Sequence, residues 1–271
     1  MPLVLTPISR GMPLSVDLDG ILPERLRDLD ADAIARLQVT CDGRPRPLGD
    51  TFRVAGSAAD GGIQFRGDCS RLHRIGADMR TGWIEVTGDA GRHAGERMAG
   101  GRLAIGGSAG DWLACEMSGG EVVVNGSAGD HAAGALPGSP TGMNGGLVII
   151  HGGVGHLAGE RMRRGILAVG GDSGEAPAFE MRAGTVVVAG AVGAHAALAM
   201  RRGSLVALSA PPPLPPGFRR GVAWLPPFLP LVLARLSRAG FRVAAPAGRW
   251  RQWHGDRLEG GRGEVFAPEA E

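Results

Sequence analysis

Histidines at one repeated spacing are the first residues whose type could do chemistry. His93, His131 and His195 each lie fourteen residues after a methionine. Imidazole nitrogens are common zinc ligands. However, His93 and His131 are two repeats apart, and at about 4.8 Å per stacked strand they lie too far apart to share an ion bound at about 2.1 Å. We therefore predict a packing or interface role for these histidines, and no metal or other cofactor bound by this chain.

Five arginines make the second candidate site, because three of them recur at intervals of 19 residues. Stacked like charges about 4.8 Å apart repel each other unless anions lie between them. One interpretation is that they extend into water and pair with Glu160 and Glu180. The other is an anion stripe that binds the carboxylates of a partner subunit or of an acidic cofactor chain. The residues of this anion stripe are Arg163, Arg182, Arg201, Arg164 and Arg202.

Several reaction classes are excluded by residues that the chain lacks. All 29 basic residues are arginine and there is no tyrosine, which rules out Schiff-base chemistry, a Walker lysine and a tyrosine general acid on this chain. The sequence contains no GxSxG motif, and its three cysteines (Cys41, Cys69 and Cys115) form no CxxC pair, a usage typical of a reducing compartment. A net charge of +2 and 4% aromatic residues do not indicate nucleic-acid binding. No catalytic residue is predicted.

A 19-residue repeat organises most of the chain. Seven of the nine methionines fall 19 residues apart, with one interval of 26 that marks a seven-residue insertion near residues 132–142. With each methionine as position zero, position three is always glycine. The methionines are Met79, Met98, Met117, Met143, Met162, Met181 and Met200; the glycines are Gly82, Gly101, Gly120, Gly146, Gly165, Gly184 and Gly203.

Positions five and seven of the repeat are aliphatic, as in Ile84 and Val86, and glycines recur at positions nine and twelve. This pattern is typical of a short strand bounded by glycine turns. A 19-residue unit cannot bury its apolar side chains alone, so the units must stack. We predict an all-β fold, a right-handed parallel β-helix of about eight rungs with a methionine core ladder. Segments such as 106–110 and 153–159 are then corner glycines and not phosphate-binding loops.

The regions flanking the repeat differ from it in composition. We predict an N-terminal cap over residues 1–57 with a helix within 23–39, a β-helix over 58–210, and a Pro-rich C-terminal extension over 211–271 with a short helix around Phe228 to Ala239. Prolines interrupt the apolar N-terminus and the apolar run at 222–236. We therefore expect no signal peptide, no membrane span and a cytoplasmic location.

The repeat and the LGDTFRVAG segment at 48–56 together resemble the C subunit of formylmethanofuran dehydrogenases, which is related to the GXGXG domain of glutamate synthase. The resemblance covers about residues 20–208. The arginine-rich, glycine-rich composition is most similar to the bacterial form, the C subunit of the formyltransferase/hydrolase complex. It implies one-carbon transfer from tetrahydromethanopterin to a methanofuran-like cofactor and hydrolysis to formate, with a zinc-containing amidohydrolase-like subunit and a formyltransferase subunit as partners.

Under this resemblance the chain is a non-catalytic structural subunit, because no catalytic or metal-ligand motif of the complex can be placed on its residues. Two alternatives remain. The first is the C subunit of a molybdenum or tungsten formylmethanofuran dehydrogenase, and the second is a stand-alone GXGXG subunit of a glutamate-synthase-like enzyme.

Overall fold

The computed structural model describes residues 2–8, 13–244 and 246–269. In these residues the protein is mostly β-structure, as predicted, with one 13-stranded sheet, one four-stranded sheet and three α-helices. Met1 and Met12, the methionines outside the repeat, lie outside the described residues. No helix in the described part has the length and apolar character that a bilayer crossing requires.

The elements follow the three regions of the sequence. The N-terminal elements are β1 (Leu3–Pro7), β2 (Val16–Asp17), α1 (Pro23–Leu26), α2 (Ala31–Ala35), β3 (Gln38–Cys41), β4 (Arg44–Pro47), β5 (Phe52–Ala55), β6 (Gly62–Phe65) and β7 (Leu72–His73). The repeat strands are β8 (Trp83–Val86), β9 (Arg102–Ile105), β10 (Glu121–Val124), β11 (Asn144–Ile150), β12 (Arg164–Val169), β13 (Thr185–Val188) and β14 (Arg202–Ala207). The C-terminal elements are β15 (Arg219–Trp224), α3 (Phe228–Arg238), β16 (Trp250–Gly255) and β17 (Arg262–Pro268).

Strands β6 and β8 to β14 pair in parallel, each with the next along the chain. The register puts position five of one repeat opposite position five of the next, as in Ile84 opposite Leu103 and Leu103 opposite Val122. A second parallel ladder of single bridges joins position eleven of successive repeats, from Ala90 through Ala109 to Ala128 and beyond. Each repeat therefore lies directly on the previous one along two lines.

The methionine column and the glycine column interlock. The Cε atoms of six methionines lie 2.7–3.2 Å from the point where a Cβ would stand on the position-three glycine of the next repeat. The same seven glycines have φ between +78° and +109°, a left-handed conformation that a side chain would strain. Glycine is required at position three for both reasons, and all seven methionines are 0% exposed.

The two faces of the repeat sheet differ along its length. In β8 to β10 burial alternates along each strand, whereas β11 to β14 end in residues that are buried on both faces. The cause is α3, whose Leu229 and Leu236 pack with Ile149, Val187 and Val206 in a second apolar cluster outside the sheet. The C-terminal extension thus covers one half of the outer face.

The prediction of one helix within residues 23–39 is wrong about its length. The chain forms two helices of about one turn, α1 and α2, and continues into strand β3. Asp30 interrupts the helix because its carboxylate accepts a hydrogen bond from the Ala33 N–H at 2.7 Å and so begins a new helix. Strand β3 then pairs with β2 and β4 in the small sheet, and tertiary pairing overrides local helix propensity.

The C-terminal tail continues the main sheet. Strand β17 pairs in parallel with β14, and β16 and β15 follow in antiparallel order. Helix α3 agrees with the predicted helix around Phe228 to Ala239. The Pro-rich extension, for which only a short helix is predicted from the sequence, also adds three strands to the sheet.

We predict that Gly120→Ala destabilises the protein far more than Gly138→Ala. Both glycines have positive φ, +88° and +82°, so both changes cost about 1–2 kcal/mol in backbone strain. A Cβ on Gly120 would also lie 2.7 Å from the Gly101 carbonyl oxygen and 2.8 Å from Met98 Cε, whereas no described atom lies within 4 Å of a Cβ on Gly138. Overpacking adds about 1–3 kcal/mol at Gly120. Urea unfolding measures both variants, and equal losses would contradict the interlock.

Candidate functional site

A corner of the repeat combines backbone strain with aromatic and ionisable side chains. All six residues at position fourteen have left-handed φ angles between +52° and +61°, although none is glycine. Such a conformation costs about 1–2 kcal/mol per residue and persists only where surrounding contacts enforce it. The residues are His93, Trp112, His131, Leu157, Ala176 and His195.

Hydrogen bonds between the corners of successive repeats hold this backbone. The N–H groups of His93, Trp112 and His131 donate to the carbonyl oxygens at position thirteen of the next repeat, at 2.9, 2.8 and 2.8 Å. Because the fixed backbone brings successive side chains into line, the three rings stack. Trp112 lies 5.1 Å from His93 and 5.4 Å from His131 between ring centroids, with interplanar angles of 7°. We call these three residues, together with Glu96 and Glu160, the aromatic corner.

A buried carboxylate orients the first ring of the stack. Glu96 is only 2% exposed, and its Oε2 lies 2.7 Å from His93 Nδ1. Arg74 contacts the same carboxylate at 3.2 Å and Arg97 at 3.6 Å. One histidine and two arginines therefore surround this buried carboxylate.

The charges around Glu96 decide its protonation. Burial by itself raises the pKa of this carboxyl group, but the hydrogen bond from His93 and the charges of Arg74 and Arg97 outweigh burial and hold the pKa below its ordinary value. Glu96 is therefore ionised at neutral pH.

The third ring of the stack has the same arrangement. His131 Nδ1 lies 2.9 Å from Glu160 Oε2, and Arg161 lies 3.7 Å from the other oxygen of Glu160. Arg161 also binds Glu180 at 2.8 Å. Residues at position eighteen of successive repeats thus form ion pairs, here and between Arg97 and Glu116, which are 3.0 Å apart.

The inserted loop over residues 132–142 is anchored to these charges. Arg161 donates from Nη1 to the Ser139 carbonyl oxygen at 3.0 Å, and the Leu136 N–H donates to Glu116 Oε1 at 3.4 Å. The insertion therefore lies beside the aromatic corner. The sequence did not reveal that Glu96 and Glu160 pair with the histidines, although both occupy position seventeen, three residues after position fourteen.

Histidine–carboxylate pairs of this kind hold a ring in one orientation. Among the described residues, no group of three His, Cys, Asp or Glu side chains is arranged to hold a metal ion. Cys115 is 0% exposed and burial raises the pKa of its thiol well above the ordinary value; burial also raises the pKa of Cys69 to about 12. These thiols are packing groups, because the thiolate form that reacts is suppressed.

The backbone of the anion stripe is aligned from one repeat to the next. The N–H groups of Arg163, Arg182 and Arg201 each donate at 2.8 Å to the methionine carbonyl of the previous repeat. Arg163 and Arg201 are exposed and Arg182 is half-buried. Among the described residues, the ion pair of this stripe joins Arg201 to Glu259 at 2.9 Å. Glu160 and Glu180, the partners considered from the sequence, instead contact Arg161.

The other two stripe residues begin strands. Arg164 opens β12 and Arg202 opens β14, where it lies opposite Arg262 of β17 in the parallel register. All three side chains are exposed. The C-terminal strand thus adds another arginine to this edge, which the repeat pattern did not reveal.

We predict that Glu96→Gln lowers the free energy of unfolding by about 1–3 kcal/mol at pH 7, because an ionised hydrogen-bond acceptor is lost. The native pKa of Glu96 is depressed, so its contribution is present above the unfolded value of 4.5 and disappears as the pH falls through the native value. The wild-type protein should therefore lose more stability than the variant below about pH 4.5. Denaturant unfolding over a pH series tests this, with Glu85→Gln, which removes an exposed carboxylate, as control. Parallel pH curves for the wild type and Glu96→Gln would refute it.

Parts of this chain are similar in sequence to known proteins. No family model matches the chain. The C subunit of the molybdenum-containing formylmethanofuran dehydrogenase 1 of Methanothermobacter thermautotrophicus is 38% identical over 96 residues, 35% of this chain and 24% of the relative. The C subunit of the formyltransferase/hydrolase complex Fhc of Methylorubrum extorquens is 37% identical over 81 residues, 30% of each. The matched segments thus span under a third of these relatives' lengths.

A solved structure extends the similarity to the whole chain. It is the X-ray crystal structure of the formyltransferase/hydrolase complex (FhcABCD) from Methylorubrum extorquens in complex with methylofuran. One chain of it is 36% identical to this protein with a TM-score of 0.89, and the match covers 98% of this chain and 100% of that one. The chain therefore belongs to the C-subunit family of formylmethanofuran dehydrogenases and formyltransferase/hydrolase complexes.

Proposed function

We propose that this chain is a non-catalytic structural subunit of a cytoplasmic formyltransferase/hydrolase complex. The observation that carries the proposal is the match over 98% of the chain to a chain of the FhcABCD complex. In this proposal the complex transfers a formyl group from tetrahydromethanopterin to a methanofuran-like cofactor and hydrolyses the product to formate. An amidohydrolase-like subunit with zinc and a formyltransferase subunit supply the chemistry.

The chemistry of the described side chains supports a structural role. The histidines of the aromatic corner are bound to buried carboxylates and a tryptophan, and the cysteines are buried. Side chains held this way stabilise the corner of the repeat. The inserted loop beside them agrees with this role, because insertions in stacked repeats commonly lie on the binding face.

The proposed scaffold has three parts. Residues 58–210 form a right-handed parallel β-helix of about eight rungs, residues 1–57 cap one end, and residues 211–271 form the C-terminal extension. The two parallel ladders support the coil, and parallel crossovers are almost always right-handed. Such a coil is stiff, because each rung is hydrogen-bonded to its neighbours.

The C subunit of a formylmethanofuran dehydrogenase is the second candidate. It is favoured by the 38% identity to the molybdenum-containing relative. By sequence alone the two candidates are similar, because the C subunit of Fhc is 37% identical over 30% of this chain. We prefer the formyltransferase/hydrolase complex because the structural match over 98% of this chain is to a chain of FhcABCD.

Native mass spectrometry of the tagged chain purified from its own host tests the proposal. We expect an amidohydrolase-like and a formyltransferase subunit in the same assembly, formyl-cofactor hydrolysis by that assembly, and no hydrolysis by the chain alone. Partners that carry molybdenum or tungsten would favour the second candidate. An active lone chain would refute the structural role.

Within this function we propose that the anion stripe binds carboxylates of the acidic cofactor chain or of a partner subunit. Guanidinium groups suit this ligand because they bind carboxylates through two parallel hydrogen bonds. We expect Arg182→Glu to weaken binding of a short glutamate peptide by about tenfold or more, which is the loss of one charge-assisted pair. Arg53→Glu, an exposed arginine of β5, is the control. Isothermal titration gives both affinities, and equal affinity for the two variants would eliminate the stripe as a carboxylate site.

A further inference from the structure

The distribution of acidic residues along the chain is strongly uneven. Residues 181–255 contain ten arginines and no aspartate or glutamate. The remainder of the chain carries all 27 acidic residues. This segment includes β13, β14 and the extension through β16. Acids that follow it neutralise some of these arginines, since Glu259 contacts Arg201 and Glu269 contacts Arg220 and Arg251.

Helix α3 has an outward face that does not pack against the rest of the chain. Its inner face is anchored by Leu229 and Leu236, which are 2% and 1% exposed. Leu231, in contrast, is 73% exposed. Arg235 and Arg238 follow it at spacings of four and seven residues, so the three side chains share one face of the helix. This face of the helix therefore combines an apolar side chain with two cations, as the centre and edge of a protein interface do.

A groove lies beside this face of α3, between the helix and the sheet. It has a volume of about 490 Å³ and lies between the end of α3, with Arg235 and Arg238, and strands β9 and β10 with Arg102 and Glu121. Glu121 is already paired with Arg102 at 3.6 Å. Among the described residues, no carboxylate lies within 4.0 Å of the guanidinium nitrogens of Arg235 or Arg238. The groove therefore offers unneutralised cations next to an exposed leucine.

We propose that this docking face, made of Leu231, Arg235, Arg238 and the adjoining groove, binds an acidic segment of a neighbouring subunit of the complex. The inference rests on the proposed function, which supplies the neighbouring subunit. Carboxylates of the partner neutralise Arg235 and Arg238, and an apolar side chain of the partner covers Leu231. Specific protein interfaces usually have an apolar centre, and complementary charges around it select the partner.

The occupant we infer is a different protein, because a second copy of this chain docked through the same face is unfavourable. Two copies docked through this face would place the arginines of both against each other, with no acidic residue from 181–255 to separate them. Like charges brought together in an interface are strongly unfavourable. The acid that the face requires must come from another chain.

The absence of lysine from the chain allows a direct test. Arg238→Lys keeps the positive charge and introduces the sole side-chain amine of the protein. With a lysine-free tag, the complex is purified from its host and treated with a carbodiimide, which couples an amine to a carboxylate in contact with it. We expect one crosslink from position 238 to an aspartate or glutamate of another subunit, identified by mass spectrometry. Arg46→Lys, an exposed arginine of β4, is the control and should give no crosslink to that peptide.

Charge reversal measures the strength of the contact. We expect Leu231→Asp with Arg235→Glu and Arg238→Glu to raise the apparent Kd for the partner subunits by about 30-fold or more. A matched variant, Leu14→Asp with Arg44→Glu and Arg46→Glu, changes one exposed leucine and two exposed arginines near the other end of the chain. It should assemble like the wild type. Salt should weaken the wild-type contact, because exposed charge pairs are screened.

The outcomes separate this inference from the proposed function. An intact complex that gives no crosslink at position 238, or a crosslink to a second copy of the chain, overturns the docking face and leaves the structural role in place. Normal assembly of the charge-reversed variant overturns it as well. A wild-type chain that purifies without partner subunits overturns both proposals. Should the charge-reversed variant fail to fold, the Arg238→Lys crosslink decides alone.

Discussion

The structure depends on one constraint, which is that every repeat must lie in the same register on the previous one. Six methionine methyl groups fill the space above the position-three glycine of the next repeat, where a Cβ would clash with the methyl group. A shift of one residue would turn the aliphatic column at positions five and seven outward. Methionine suits this seam because its unbranched side chain adapts to an irregular space. The interior is thus one continuous column and not a set of separate cores.

The same register explains how the chain carries its single insertion. Seven extra residues separate Met117 from Met143, yet Val122 lies opposite Val148 in the parallel ladder. The extra residues leave the stack at the corner, where no strand is interrupted, and Arg161 and Glu116 hold them. Repetition also aligns His93, Trp112 and His131 into a ring stack. Hydrogen bonds between successive repeats offset the strain of their left-handed backbone. The contact of His93 with the buried carboxylate of Glu96 contributes as well.

The C-terminal extension makes one half of the sheet different from the other. Helix α3 covers the outer face of β11 to β14, and β17 continues the ladder beyond β14. The extension is therefore part of the same hydrogen-bonded stack. Among the described residues, Arg235 and Arg238 on the outward side of α3 have no carboxylate partner within 4.0 Å. A region that completes the fold of this chain therefore also presents positive charge to its surroundings.

The repeat could be predicted from the sequence because period, residue type and strand alternation all act locally. Positions three, five and seven determine where strands and turns occur, and the ion pairs at position eighteen follow from the same count. The flanks could not be predicted equally well. Asp30 divides the N-terminal helix, and strands β3, β16 and β17 form because distant strands offer hydrogen-bond partners. No local pattern encodes those partners.

The sequence by itself determined the stacking, the glycine and methionine columns and the lack of lysine and tyrosine chemistry. Only the tertiary structure decided which side chains meet across repeats. The Glu96–His93 and Glu160–His131 pairs, the ring stack and the uncovered face of α3 depend on the path of the corners and on where the C-terminal helix packs. Those features arise from contacts between residues far apart in the chain, and spacing along the sequence does not specify them.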